Sequence, residues 1–182
     1  MGLVSGIKKA LSDSKNKSVD KANDIMGRVV PGYNYHKREV RLSTDASVRD
    51  KLSRETAKSR RLLKEIGELA YKEGLREEIE HIKDATSTLE MLGMELDTAE
   101  YGNSPFFKEE GVGFNDVRSM IEFDASLFDG MEVLTEACDL LYKGVLDGKT
   151  SDFILQVRKI KKNTDNLRNR FMDRRDFLLR LS

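Results

Sequence analysis

Several residue types that mark common protein classes are scarce or missing in this 182-residue chain. It has one cysteine, two prolines and no tryptophan. A single cysteine excludes an intramolecular disulfide and fits a reducing compartment. Because few prolines interrupt a sequence in which 35% of the residues are charged, the composition is typical of a helical bundle or coiled coil. The hydrophobic content of 38% is enough for a narrow core in a single domain.

The chain also has few groups that bind metals or perform catalysis. Two histidines and one cysteine do not supply a closed zinc site. Glu78 and His81 have the spacing of a di-iron ligand pair, but such a site needs a second pair and two further glutamates. Gly144 and Gly148 enclose three residues, whereas a phosphate-binding P-loop requires four. We therefore expect no catalytic residues, no metal, no cofactor and no enzymatic activity.

No apolar run approaches the length of about 20 residues that a membrane-spanning helix needs. The N-terminus lacks the apolar core of a secretory signal, which favours a cytoplasmic location. Residues 2–13 instead predict a short amphipathic helix. Its membrane or docking face consists of Leu3, Val4, Ile7, Lys8, Lys9 and Leu11. This helix either docks on the rest of the protein or binds an anionic membrane surface as a peripheral anchor.

Two stripes of mainly apolar residues, spaced alternately by three and four positions, dominate the C-terminal part of the chain. The first stripe is Val117, Met120, Asp124, Leu127, Met131, Leu134, Cys138, Leu141 and Val145. The second stripe is Phe153, Val157, Ile160, Thr164, Leu167, Phe171, Arg174, Leu178 and Leu181. If the chain folds back at Lys149, each position meets a partner in the other stripe. The spacing favours knobs-into-holes packing, so residues 114–181 predict an antiparallel helical hairpin.

One charged residue interrupts each stripe, and the hairpin register places Asp124 directly opposite Arg174. A charge pair between two helices disfavours a shift of their register by one heptad. We therefore predict that Asp124 and Arg174 form a structural polar pair. The alternative is that both lie in water at the periphery, where an ion pair contributes little to stability.

The helix upstream of residue 75 is less sharply defined. Ser43, Thr44 and Asp45 are typical of a helix N-terminus. Residues 44–61 contain so few apolar side chains that we expect this half of the helix to be largely exposed and basic. Gly74 either ends the helix or lies inside one long helix, because an apolar stripe continues on both sides of it.

The predicted fold is all-α. It is an elongated antiparallel bundle of three or four long helices, preceded by the short N-terminal amphipathic helix. Residues 1–17 form that helix and its linker, residues 18–42 form a short helix and an irregular basic and aromatic segment, and residues 43–182 form the bundle. The count of long helices depends on Gly74.

Charge is segregated along the chain, although 32 basic and 32 acidic residues balance overall. Residues 1–75 carry 17 basic and 10 acidic residues, a net charge of +7. Residues 76–147 carry 5 and 18, a net charge of −13, and residues 148–182 carry 10 and 4, a net charge of +6. These blocks either neutralise one another within the bundle or direct contacts with other molecules. Such molecules include further copies, a protein partner, nucleic acid or an anionic lipid surface.

Aromatic and basic residues interleave between residues 33 and 41, a combination that suits single-stranded nucleic acid. The full candidate surface for a polyanion or partner is Tyr33, Tyr35, Lys37, Arg38, Arg41, Arg60, Arg61, Arg158, Lys159, Lys161 and Lys162. The alternative is that the tyrosines pack against helix ends. Phe106 and Phe107, in a loop rich in glycine, likewise either cap the core or bind a partner.

Our leading prediction is a non-enzymatic scaffold or assembly protein that acts through its segregated charges. Its partner is either a second copy or another protein, and peripheral contact with an anionic membrane is compatible with this function. The alternative is a nucleic-acid-binding helical protein that uses the basic segments 33–61 and 158–175.

Overall fold

The computed structural model describes residues 15–76, 79–99, 102–108, 112–149 and 151–180. This part of the chain is helical and contains no strand, so the predicted all-α class is confirmed. Its helices are α1 (Lys15–Gly27), a 3-10 helix (Arg38–Val40), α2 (Arg41–Lys72), α3 (Ile79–Thr98), α4 (Pro105–Lys108), α5 (Phe114–Leu146) and α6 (Phe153–Arg180). The finer description, an elongated bundle of three or four long helices, stays a prediction.

The helices form two compact units. Unit 1 consists of the described residues within Met1–Leu52, Thr98–Asp129 and Arg170–Ser182. Unit 2 consists of the described residues within Ser53–Asp97 and Gly130–Asn169. Each unit therefore combines segments that are distant in sequence. The predicted segments 1–17, 18–42 and 43–182 follow the chain in order, and that division stays a prediction.

Both predicted stripes lie in the protein core. Every position of the first stripe is buried in α5, and every position of the second stripe up to Leu178 is buried in α6. Leu181 lies outside the described residues. The 3-4 spacing explains this burial, because it keeps one face of each helix turned towards its neighbours along the whole length.

Gly74 ends α2. Its φ of 78° is in the left-handed region that glycine adopts without steric cost. The N–H of Leu75 donates to the carbonyl of Ala70 at 2.9 Å, and the N–H of Gly74 donates to the carbonyl of Tyr71 at 3.2 Å. These two bonds are the Schellman motif, which satisfies carbonyls at a helix C-terminus. Of the two sequence-based alternatives for Gly74, the structure therefore contains the helix end.

The start of α2 differs from the prediction. The helix begins at Arg41, directly after the 3-10 helix, and not at Ser43 to Asp45. The reason is that the predicted capping groups bind elsewhere: the Thr44 hydroxyl accepts a hydrogen bond from the N–H of Asn34 at 3.2 Å. The carboxylate of Asp45 binds arginine side chains instead of the first turn.

The expectation that residues 44–61 are largely exposed is wrong. One face of this half of α2 is buried, and it consists of Thr44, Asp45, Val48, Leu52, Thr56 and Ser59. Small hydroxyl side chains can occupy core positions when they find polar neighbours. In unit 2 the Ser59 hydroxyl lies 3.4 Å from the Thr135 hydroxyl on α5. The helix is therefore packed over this half as well, although few of its residues are apolar.

In unit 2, α2 and α3 pack side by side in opposite directions. Arg60 on α2 forms an ion pair with Glu90 on α3 at 3.1 Å, and a Cβ atom at Gly67 would lie 3.5 Å from Ile82. Residue numbers rise on one helix as they fall on the other, which is the antiparallel arrangement. Arg168 on α6 forms an ion pair with Glu95 on α3, with a nitrogen–oxygen distance of 2.6 Å.

Within the described part of the chain, no helix combines the length and the apolar composition that crossing a membrane requires. The predicted amphipathic helix at residues 2–13, with its face of Leu3, Val4, Ile7, Lys8, Lys9 and Leu11, lies outside the described residues. Its docking or lipid-binding role therefore stays a prediction.

Buried polar cluster and candidate interaction groove

A buried polar cluster in unit 1 is formed by Tyr33, Tyr35, Asp45, Asp124 and Arg174. Arg174 Nε donates to Asp124 Oδ1 at 2.6 Å, so the structure brings together the two residues that the hairpin register places opposite each other. Arg174 Nη2 donates to Asp45 Oδ1 at 2.7 Å and to the Tyr35 hydroxyl at 2.9 Å. Both Asp124 and Arg174 are fully buried. The alternative, a pair in water at the periphery, does not describe them.

Further contacts complete the polar cluster. The Tyr33 hydroxyl donates to Asp124 Oδ2 at 3.0 Å, and Arg49 Nε donates to Asp45 Oδ2 at 2.9 Å. Two carboxylates are therefore matched by two guanidinium groups within bonding distance. This balance matters because a buried charge without a partner is strongly destabilising.

Aromatic rings and Arg41 hold the loop that carries the two tyrosines. The Tyr35 ring packs edge-on against Tyr33 and against Phe106, with centroid distances of 5.1 and 5.4 Å. Arg41 donates to the carbonyls of Tyr35 and Phe106 at 2.8 and 3.0 Å, and its guanidinium lies 5.2 Å from the centre of the Phe106 ring. Phe106 and Phe107 are both buried, so they cap the core of unit 1.

Burial dominates the ionisation behaviour of the polar cluster. It raises the pKa of Asp124 above its ordinary value, although the adjacent Arg174 opposes this shift. It also raises the pKa values of Tyr33 and Tyr35, and the negative charge of Asp124 adds to both shifts. The tyrosines therefore stay neutral at physiological pH and serve as hydrogen-bonding groups.

The geometry of the polar cluster suits a structural role. Catalysis requires that a substrate reaches the reactive atoms, but Asp124 and Arg174 expose none of their surface and Asp45 only 1%. Their polar atoms bind one another across three helices and a loop. The polar cluster thus fixes the relative positions of these elements within unit 1.

Three predicted surface residues are not on the surface. Tyr33, Tyr35 and Arg41 were candidates for a polyanion-binding surface, but all are buried, at 5%, 0% and 5% exposure. The physical reason is that the aromatic rings pack on one another and that Arg41 satisfies backbone carbonyls. Base stacking on Tyr33 and Tyr35 is therefore excluded in this structure.

The other candidates for that surface are distributed over both units. Lys37 and Arg38 are exposed in unit 1, and Arg61 is exposed in unit 2. Arg60 is half-buried and forms its ion pair with Glu90. On α6, Lys161 is half-buried beside Asp165, at 3.1 Å, whereas Arg158, Lys159 and Lys162 are exposed in unit 2. The structure therefore groups only the exposed α6 residues on one helix face.

A groove lies between α2 and α3 in unit 2. Its volume is about 720 Å³. The apolar part of its lining includes Leu63, Gly67, Tyr71, Ile79 and Ile82. Because Gly67 has no side chain, Ile82 of α3 approaches the backbone of α2 closely at this point. The charged part of the lining is Lys64, Glu68, Lys72, Lys83 and Glu90.

Exposed apolar side chains are concentrated in unit 2. Of the ten large apolar side chains that are exposed in the described part of the chain, eight belong to this unit. They are Tyr71, Met91, Met94, Val133, Leu140, Leu146, Ile154 and Leu155. Leu140 and Leu155 expose 67% and 66% of their surface. They lie on α2, α3, α5 and α6, so each of these helices exposes apolar surface in unit 2.

Two helices of unit 2 present exposed faces of opposite charge. On α5, Glu132, Glu136 and Asp139 are exposed beside Val133 and Leu140, and we call these five residues the acidic ridge. On α6, Arg158, Lys159 and Lys162 are exposed near Leu155, and we call these four residues the basic face. The spacing of three, four and seven positions places each set on one side of its helix.

Neither the groove nor the role of Asp45 and Tyr35 in the polar cluster was predicted. For Asp45 a signal was available: with Val48 and Leu52 it begins a 3-4 pattern that continues through the hydroxyl residues Thr56 and Ser59. Tyr35 joins the cluster through a contact with Arg174, 139 positions away, and no local pattern indicates such a contact.

Comparison of the chain with protein-family models, with curated proteins and with solved structures found no match. The described residues contain no group of three or more histidine, cysteine, aspartate or glutamate side chains placed to hold a metal ion. Function must therefore be inferred from the surfaces of the molecule itself.

Proposed function

We propose that this protein is a non-enzymatic helical scaffold that assembles, with further copies or with a protein partner, through oppositely charged surfaces. The observation that carries this proposal is the exposed acidic ridge on α5, because unit 2 also presents basic side chains on α6 and beside the groove between α2 and α3. The acidic ridge on α5 and the basic face on α6 each combine charge of mainly one sign with exposed apolar residues. Complementary charge steers association and selects partners, while apolar contact supplies affinity.

The charge distribution over the whole sequence supports the same function. A chain with zero net charge has no overall repulsion between copies, whereas its separate acidic and basic blocks can attract each other. The proposal keeps the predicted cytoplasmic location, the elongated bundle and the peripheral contact with an anionic membrane through residues 2–13.

The test is the mass of the protein in solution, measured by sedimentation velocity over a range of concentrations. We expect the average mass to rise above the monomer mass of 20.8 kDa in about 0.05 M salt and to return towards it in about 0.5 M salt. Screening by salt weakens contacts between exposed charges, which explains the direction. A monomer under all these conditions would contradict self-association and leave only the version with a different protein partner.

Nucleic-acid binding is the second candidate, and the basic face on α6 favours it. Arg158, Lys159 and Lys162 are exposed on one face of α6, where basic side chains can contact phosphate groups. The burial of Tyr33 and Tyr35 counts against it, because the predicted stacking groups are not accessible. This function would show as binding to single-stranded DNA that weakens steeply with salt.

A further inference from the structure

We propose that the groove between α2 and α3 binds the acidic ridge of α5 from a second copy of this chain. The inference rests on the proposed function and names the two surfaces that would meet. Both surfaces belong to unit 2. They differ from each other, so one copy can offer its acidic ridge to a neighbour while its groove receives the ridge of another.

Shape supports this choice. Leu140 and Val133 project from α5 with 67% and 46% of their surface exposed. An exposed leucine is best buried in a concave apolar surface. The groove provides one through Gly67, Tyr71 and Ile79, which are partly or largely exposed, above the buried side chains of Leu63 and Ile82. The basic face of α6 lies on a single convex helix and offers no comparable depression.

Length also agrees. The acidic ridge spans residues 132–140, which is about 12 Å along the helix axis at 1.5 Å per residue. The α2 side of the groove spans residues 63–72, which is about 14 Å by the same measure. The ridge and the groove therefore have nearly the same length, and they differ by about 2 Å.

Charge is complementary as well. The lining includes three exposed lysines, Lys64, Lys72 and Lys83, against Glu68 and Glu90. Glu90 already accepts a hydrogen bond from Arg60 at 3.1 Å, so the rim is basic on balance. The acidic ridge brings Glu132, Glu136 and Asp139, and Lys143 is the one exposed base on the next turn of the same face. An acidic helix is therefore favoured over a basic one at this rim.

The test uses charge reversal in the full-length protein. We expect Lys83→Glu in the groove and Glu136→Lys on the acidic ridge each to weaken self-association about tenfold in low-salt sedimentation velocity. Both side chains are exposed, so neither change should alter the fold, and circular dichroism melting curves check this. An equimolar mixture of the two variants should recover association, because the unaltered groove of the Glu136→Lys variant accepts the unaltered ridge of the Lys83→Glu variant. The altered groove and the altered ridge also have opposite charges at these two positions.

A matched control separates this inference from the broader function. Lys162→Glu makes the same charge change on the basic face of α6, and it should leave association nearly unchanged. If Lys162→Glu weakens association whereas Lys83→Glu does not, the copies meet through α6, so the groove proposal is overturned while the assembly function stands. If the mixed variants fail to recover association, ridge and groove are not partners.

A second pair of variants tests the apolar contact. Leu140→Ser removes the residue that should enter the groove, whereas Leu155→Ser removes an equally exposed leucine from α6. We expect association to weaken at least about tenfold for Leu140→Ser, with little effect of Leu155→Ser. The reverse order of effects would overturn the proposal.

Discussion

Arg174 is the residue on which the buried polar cluster depends, because its guanidinium bonds to three other members. It satisfies Asp124, Asp45 and Tyr35, which belong to two helices and a loop other than its own. A buried pair of this kind is not in itself evidence of high stability, since desolvation offsets much of the attraction. Its consequence is specificity, because a shift of one of these elements would separate charges that here lie within bonding distance.

A double-mutant cycle on Asp124 and Arg174 tests this account. Asp124→Leu and Arg174→Leu should each lower the free energy of unfolding by about 3–5 kcal/mol, because each leaves a buried charge with fewer partners. The effects should be coupled by about 1–3 kcal/mol in urea unfolding measurements.

The contact with Asp45 refines the outcome expected for the double variant. Replacing both residues by leucine should recover only part of the stability, because Asp45 then keeps Arg49 as its partner but loses Arg174. Independent effects of the two single changes would contradict direct coupling. Full recovery in the double variant would show that the contact between Asp45 and Arg174 contributes little.

Among the helices, the two with mainly apolar stripes could be predicted from the sequence. The described positions of both stripes are buried because hydrophobic periodicity directly reflects which helix face is covered. The paired interruptions, Asp124 and Arg174, followed from the same register. The start of α2 could not be predicted in this way, because Thr44 and Asp45 have the composition of a cap but bind Asn34, Arg49 and Arg174 instead.

Local sequence patterns could not predict the roles of residues that act through tertiary contacts. Tyr33 and Tyr35 lie in a segment whose composition suits nucleic acid equally well, and only the packing of Phe106 and Arg41 around them decides the outcome. The groove likewise depends on the spacing between α2 and α3, which the sequence of either helix alone does not determine.

A glycine inside α2 and the glycine that follows its C-terminal end should respond to alanine in opposite directions. Gly67 is inside the helix, and an added Cβ would meet Ile82 at an ordinary distance of 3.5 Å. Gly67→Ala should therefore raise the free energy of unfolding by about 0.5–1 kcal/mol, because alanine favours the helix. Gly74 has a φ of 78°, so Gly74→Ala should lower it by about 1–2 kcal/mol.

Chemical denaturation of the two alanine variants, beside the unchanged protein, checks this pair. Each variant is the control for the other, because one adds a methyl group inside α2 and the other adds a methyl group just after its C-terminal end. A stabilising effect at Gly74 would mean that α2 continues past this residue. A destabilising effect at Gly67 would mean that α2 and α3 are closer than in this structure.

For the molecule as a whole, stability should depend on pH through its buried tyrosines. The pKa values of Tyr33 and Tyr35 are raised well above 10.0 because burial disfavours the tyrosinate. In the unfolded chain both tyrosines lose their protons near pH 10, whereas in the folded protein they keep them. The contribution of these two tyrosines to the free energy of unfolding is therefore fully present below pH 10, and it is lost as the pH rises above 10.

Tyr35→Phe isolates this contribution. The unchanged protein should lose stability above pH 10 with a slope of up to about 1.4 kcal/mol per pH unit for each buried tyrosine, and the variant should show the smaller slope. Tyr71→Phe is the control, because that side chain is 61% exposed and its hydroxyl does not need to be desolvated. Urea unfolding midpoints between about pH 8 and pH 11 measure the slopes. If Tyr35→Phe and Tyr71→Phe give the same pH profile as the unchanged protein, the Tyr35 hydroxyl is not in a water-excluded core, and the buried polar cluster is wrongly described.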